Sequence, residues 1–238
     1  MGEPKNYTRN TKLIDTHRYK IKNVPLNDVT STRNLGVILD TALKFKPHTT
    51  HAIKKAKRAL GFIIRNARNL KNVKTLLVLY YALVRSHLEF AILVWNPHHA
   101  NTIKSIEQIQ KRFLRYLHYR EFEYYPVDVG YGELLSGFEI QSLENRRKVI
   151  SLMFLYDILR GEITDPEVLE KIQLYIPRIN SGIRMTFRLK NYRTDALKYS
   201  VVQRATGLYN NILVDRPDID IFFHSRKEFK YIITEIYT

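Results

Sequence analysis

Cysteine is absent from the 238-residue chain. That excludes a disulfide framework, a Cys-ligated zinc and a thiol nucleophile, and it leaves stability to packing. No apolar run reaches the roughly 20 residues that a bilayer helix needs. The most apolar stretch, YYALVRSHLEFAILVW at 80–95, carries Arg85, His87 and Glu89 near its middle, and each central charge costs about 2.5 to 3.5 kcal/mol on insertion scales. The amino end, MGEPKNYTRN, has no apolar core of a secretory signal, and Asn6 stands where a myristoylation signal has Ser or Thr. The expected location is intracellular, nuclear or cytoplasmic, and not secreted. There is no Gly-rich phosphate loop, no G-x-S-x-G elbow, no dinucleotide fingerprint, no tandem repeat and no low-complexity tract. Acidic residues are few, 23 against 39 Lys and Arg, and none lies between Thr41 and Leu88.

What is present is enough to fold, since 45% of residues are apolar and 12% aromatic. The net charge of +16 repels itself unless a polyanion relieves it, which makes nucleic acid the first partner to consider. The excess is uneven: the acid-free segment holds Lys44, Lys46, Lys54, Lys55, Lys57, Arg58, Arg65, Arg68, Lys71, Lys74 and Arg85.

The chain is expected to be mainly α. KLIDTHRYKIKNV and NLGVILD read as short strands of an N-terminal β-hairpin, too small to stand alone and so part of a larger sheet that the chain enters partway. From Lys46 the period becomes helical, with Ile53, Ala56, Leu60, Ile63, Ile64, Ala67 and Leu70 on one stripe. Asn72 can cap a second helix, VKTLLVLYYALVRSHLEFAILVW, which Asn96-Pro97 ends. A third runs from about Thr102 to His118, with Ile103, Ile106, Gln110, Phe113 and Leu117 inward, completing a three-helix bundle. Further helices are expected after Ser142, where Val149, Ile150, Met153, Phe154, Ile158 and Leu159 give a core face before Gly161, and at DPEVLEKIQL, SVVQRATGLYNNI and EFKYIITEIY. RMTFRLKNYR reads as extended.

On a wheel of about 100° per residue, Lys54, Lys57, Arg58, Arg65 and Arg68 fall within an arc of roughly 100°, and the apolar stripe is centred about 120° away. Gly61 lies inside the cationic arc. A missing side chain there lets a phosphate backbone come close, or else marks a tight helix crossing. Solvated faces normally mix signs, and like charges at i, i+4 destabilise a helix. Cations spaced along one helix suit the phosphates of a duplex, which they position without reading sequence.

NLGVILDTALKFKPH, LYYALVRSHLEFAILVWNPHH and SIEQIQKRFLRYL, followed later by YNNILVDRPDIDIFFHSRKEFKYII, resemble in the same order the end of the reverse transcriptase of non-LTR, LINE-type retrotransposons, most like the jockey-like group. Phe90 stands where Tyr is common in that family, and Ile92 with Leu93 replace smaller or more polar residues. The resemblance implies the end of a polymerase palm over residues 1–43, a thumb-like helical bundle over 44–120 and a helical carboxyl-terminal extension over 121–238. It implies an RNA-DNA or DNA duplex as partner, together with the palm and fingers of the parent polymerase. It likewise implies a primer-grip-like role for Leu35 and Gly36, while the helix wheel independently assigns nucleic-acid binding to Lys54, Lys57, Arg58, Gly61, Arg65 and Arg68. Arg85 and Glu89 then belong to the central helix of the bundle as structural groups with interhelical partners, and Trp95 with Pro97 to a packing corner or a stacking platform.

Template-directed polymerisation needs carboxylates around two metal ions, and the chain contains no Asp-Asp. It is expected to be inactive alone and to need no cofactor, although the resemblance implies Mg2+ for the intact enzyme. Asp218 and Asp220 resemble a metal pair by spacing only. His48 with His51, and His98 with His99, have no third ligand at zinc spacing; the first pair, at a helix start, is expected to cap it or face solvent. The alternative to a nucleic-acid function is a helical protein-interaction module, or a decaying fragment.

Overall fold

A computed structural model describes residues 20–22, 24–25, 29–70, 72–176 and 185–238. The protein is mainly helical, with a small antiparallel sheet near the start of the described chain. Strands β1 (Lys20–Ile21) and β2 (Val24–Pro25) form a two-residue ladder, and β3 (Ser31–Asn34) pairs with β4 (Val37–Asp40) in register Asn34 to Val37. NLGVILD is therefore not one strand paired with KLIDTHRYKIKNV, most of which lies outside the described residues. It contains its own turn. Leu35 and Gly36, both at positive φ (46° and 86°), make the two-residue connection whose twist suits a hairpin.

Asp40 then folds the chain toward the first helix. Its Oδ1 accepts the amides of Ala42 and Lys44, both at 3.1 Å, and its Oδ2 that of Phe45 at 2.6 Å. Helix α1 (Lys46–Asn66) follows, with Pro47 in its first turn, and ends in a 3-10 turn at Ala67–Asn69. Helix α2 (Val73–Tyr80) starts as the sequence predicts, Asn72 accepting from the amides of Lys74 and Thr75.

The long second helix is not continuous. It passes through a π-helical turn at Tyr81–Arg85 into α3 (Ser86–Glu89), breaks at Phe90 and Ala91, and resumes as the single turn α4 (Ile92–Trp95). Ala91 is left-handed (φ 51°), and the Trp95 indole donates to the Phe90 carbonyl at 2.7 Å, supplying a partner to a group the helix has released. The break lets the large ring turn inward. Helix α5 (Ala100–Phe122) is longer than expected at both ends, and α6 (Tyr131–Gly137) leads to α7 (Leu143–Leu159).

Ser142 caps α7, and the Glu107 carboxylate also accepts the amides of Leu143 and Glu144, so a negative charge from α5 sits on the positive end of α7. The expected core face of α7 is too narrow. Ser151, Leu152, Leu155 and Tyr156 are buried as well as Val149, Met153 and Ile158, because α5 and α4 pack on the helix together with α10 (Val201–Asp215) and α11 (Arg226–Ile236). The remaining helices are α8 (Pro166–Lys171), capped by Asp165, and α9 (Asp195–Lys198). Among the described residues of RMTFRLKNYR, Phe187 forms an isolated antiparallel bridge with Leu174.

Two apolar clusters result. The first joins α1 to α6 around Leu60, Tyr80, Trp95 and Phe113, the last stacked on Tyr80 at 4.2 Å. The second joins α7, α10 and α11 around Tyr156, Phe187, Tyr209 and Phe229.

Candidate nucleic-acid interface

Helix α1 buries His48, Thr49, Ala52, Ala56, Leu60 and Ile63. These positions are centred about 165° around the helix from the centre of the cationic arc. The separation exceeds the expected one because Ile53 and Ile64, the stripe residues nearest the cations, are only half-buried. The side carrying Lys54, Lys57, Arg58, Arg65 and Arg68 therefore points away from the core. All five are exposed, and none is in an ion pair among the described residues.

From Lys54 to Arg68 the ridge runs about 21 Å at 1.5 Å per residue. It holds like charges at Lys54/Lys57, Lys54/Arg58 and Arg65/Arg68, worth together about 1 kcal/mol of unrelieved repulsion. Its far end is anchored by Arg120 of α5, which donates to the carbonyls of Arg68 (2.7 Å) and Leu70 (2.9 Å).

Gly61 is not a helix crossing. Among the described residues a Cβ placed there meets only Arg65, whose Nη1 would lie 3.2 Å away, and no atom of another element within 4 Å. The Arg65 guanidinium instead lies over the gap.

Leu35 and Gly36 lie at the hairpin tip, apart from α1. Leu35 is 90% exposed, while a Cβ on Gly36 would come within 3.0 Å of the Phe90 ring. Phe90 and Val94 are exposed too, so an apolar patch gathers at the tip and the break after α3.

Arg85 and Glu89 find the interhelical partner their order suggests. Glu89 takes both Nε and Nη2 of Arg146 on α7, with Arg85 Nε at 3.7 Å and its guanidinium 3.7 Å over the Tyr81 ring. Trp95 is buried at a packing corner and is no stacking platform.

The histidine at 48 corrects the expectation. It neither caps nor faces solvent: it is buried, accepts the Ile38 amide on Nδ1 at 3.2 Å and meets Trp95 edge-on at 5.1 Å. Burial, then His51 and Arg33, push its pKa down, so the imidazole is held neutral as an acceptor between β4 and α1. His98 stacks on Tyr199 at 3.9 Å, with His99 beside it at 4.1 Å. Among the described residues no group of three or more His, Cys, Asp or Glu is placed to hold a metal.

Asp218 and Asp220 do not fit a two-metal site. Asp218 is in a two-point pair with Arg216, both bonds 3.0 Å, and Asp220 accepts the Phe222 amide at 2.8 Å to close a turn.

Two further cations carry structural or surface roles that periodicity does not announce. Arg204 is largely buried with no carboxylate partner among the described residues, donating to the carbonyls of Tyr199 and Leu93, and burial pushes its pKa down to about 10. Arg147 is buried near Glu107, at 3.7 Å. No protein-family model matches the chain, and neither a curated protein nor a solved structure matches it.

Proposed function

We propose that the chain is the carboxyl-terminal part of a non-LTR retrotransposon reverse transcriptase: the last palm strands, a thumb-like bundle and a helical extension. Its activity is sequence-tolerant binding of an RNA-DNA or DNA duplex along α1. The observation that carries the binding is the outward set of five exposed cations, in no ion pair among the described residues, opposite the buried stripe of α1. A duplex presents one charge per about 1.7 Å of axis, so a 21 Å ridge has phosphates within reach of every one of its side chains. The family assignment rests on the ordered motifs of the sequence. In that reading the Leu35-Gly36 turn supports a primer terminus, and polymerisation requires the aspartate pair and Mg2+ of the parent enzyme, since this chain has no Asp-Asp.

The test is a titration with an RNA-DNA hybrid at two salt concentrations, using the wild type and a variant with Lys54, Lys57, Arg58, Arg65 and Arg68 changed to Glu. Steeply salt-dependent binding that the variant loses supports the proposal; retained binding at the same salt slope refutes it. A second reading, a protein-interaction module, is favoured by the patch of Leu35, Phe90 and Val94. It predicts no duplex binding by the wild type.

A further inference from the structure

Helix α5 carries a second unneutralised face. Ile106, Ile109, Gln110, Phe113, Leu114 and Leu117 are turned inward. At about 100° per residue Lys104, Lys111, Arg112 and Arg115 share the opposite side with Tyr119 and Phe122. None of these four cations is ion-paired among the described residues. The one carboxylate in the body of the helix, Glu107, turns the other way to bind Tyr131 and the amides of α7. Glu121 lies more than about 100° round from the stripe, and Glu123, left-handed at φ 61°, ends the helix.

The aromatic end of this stripe is exposed and ordered by a ring beneath it. Tyr119 is 48% exposed, and Phe122 and Tyr124 are both 55% exposed. Buried His118 holds the latter two, its ring centroid 4.6 Å from Phe122 and 4.8 Å from Tyr124, the second contact edge-on. Phe122, propped on this buried ring, has lost its freedom before any ligand arrives, and Tyr119 lies exposed three residues before it on the same face. Cations along a helix, leading to exposed rings, match what an unpaired strand offers: spaced phosphates and free base faces.

We propose that the outer face of α5 is a binding track for single-stranded nucleic acid. Lys104, Lys111, Arg112 and Arg115 follow the backbone, and Tyr119 with Phe122 stack bases. This site is separate from the α1 ridge and stands or falls independently of the duplex reading.

The test measures binding of fluorescent dT20 and rU20 strands, an abasic strand of equal charge, polyglutamate and phosphatidylserine vesicles. The proteins are the wild type and two variants, Tyr119→Ala/Phe122→Ala and Arg112→Gln/Arg115→Gln. All four replaced residues are at the surface or half-buried, and circular dichroism verifies the fold. Loss of the two rings should weaken dT20 binding by tenfold or more at unchanged salt slope, while leaving the abasic strand and duplex unaffected. Loss of the two guanidinium groups should flatten the log-log salt slope by about 1.4, at roughly 0.7 per contact. The rU20 arm shows whether RNA or DNA is preferred. Binding of dT20 that survives removal of the rings, or that the abasic strand, polyglutamate or the vesicles match, overturns the inference. Ring-dependent dT20 binding without any duplex binding would leave this site standing and remove the α1 proposal alone.

Discussion

Removing two ridge guanidinium groups by Arg58→Gln/Arg65→Gln gives a quantitative test of α1. If all five cations each neutralise one phosphate, duplex affinity falls with salt at a log-log slope of about −4.5, at roughly 0.9 per contact, or about 500-fold between 50 and 200 mM. The double variant keeps three contacts and a slope of about −2.7. Each lost contact is worth a factor of about 5 at 0.15 M salt, so the variant binds about 30-fold more weakly there, narrowing to between about 3- and 4-fold at 0.5 M. Neither side chain is in an ion pair among the described residues, and both are exposed, so the fold should be retained. Fluorescence anisotropy with a labelled RNA-DNA hybrid at four salt concentrations gives both slopes. Lys227→Gln/Lys230→Gln removes the same charge from exposed positions on α11 and serves as the control. Equal slopes for the two double variants would refute the ridge and leave only the net charge of +16 as the source of binding.

Other consequences concern stability. Gly36→Ala should destabilise by about 1 to 2 kcal/mol in urea unfolding, since a Cβ is strained at φ 86° and meets Phe90 at 3.0 Å. Leu35→Asn should instead stabilise slightly, because φ 46° is better tolerated by Asn and the leucine side chain is almost wholly exposed. Glu89→Ala should cost about 1 to 3 kcal/mol by leaving Arg85 and Arg146 facing each other without their shared carboxylate, a penalty lessened by their partial exposure. His48 should make stability pH-dependent. Its folded pKa is depressed below the ordinary 6.5, so the unfolded chain binds the proton more readily. Stability is full above about pH 6.5 and declines as pH falls toward the folded value. His87 and His98, also depressed by burial first, act in the same sense. Urea midpoints at pH 7.5 and 5 should show the drop, and His48→Gln should reduce it.

Features set by local chemistry are legible in the sequence. The α1 stripe and ridge follow from the 3.6-residue period, and Asn72, Ser142 and Asp165 cap the helices they precede because short oxygens there can accept the first free amides. Gln110, anomalous on an apolar face, lies in a buried network between the Tyr80 hydroxyl, Tyr131 and the Gln141 carbonyl. Features set by tertiary partners are not. The break at Phe90-Ala91 depends on an indole five residues on, the acceptor role of His48 on an amide in β4, and the breadth of the α7 core on helices that arrive much later in the chain. The cations of α5 were spaced for detection, with Lys104, Arg112, Arg115 and Tyr119 at helical intervals, but polar periodicity says nothing until Glu107 is seen to face inward. The β3–β4 hairpin was not legible from residue patterning: NLGVILD reads as one strand because Leu gives no cue for the left-handed turn that Leu35-Gly36 makes within it.

Lysine acetylation mapped by mass spectrometry, with and without a saturating RNA-DNA hybrid, probes the ridge most directly. Lys54 and Lys57 should be strongly protected by the duplex while Lys227 and Lys230 acetylate at unchanged rates. Equal protection of the two pairs, or none at Lys54 and Lys57 while the hybrid is bound, would contradict duplex binding along α1.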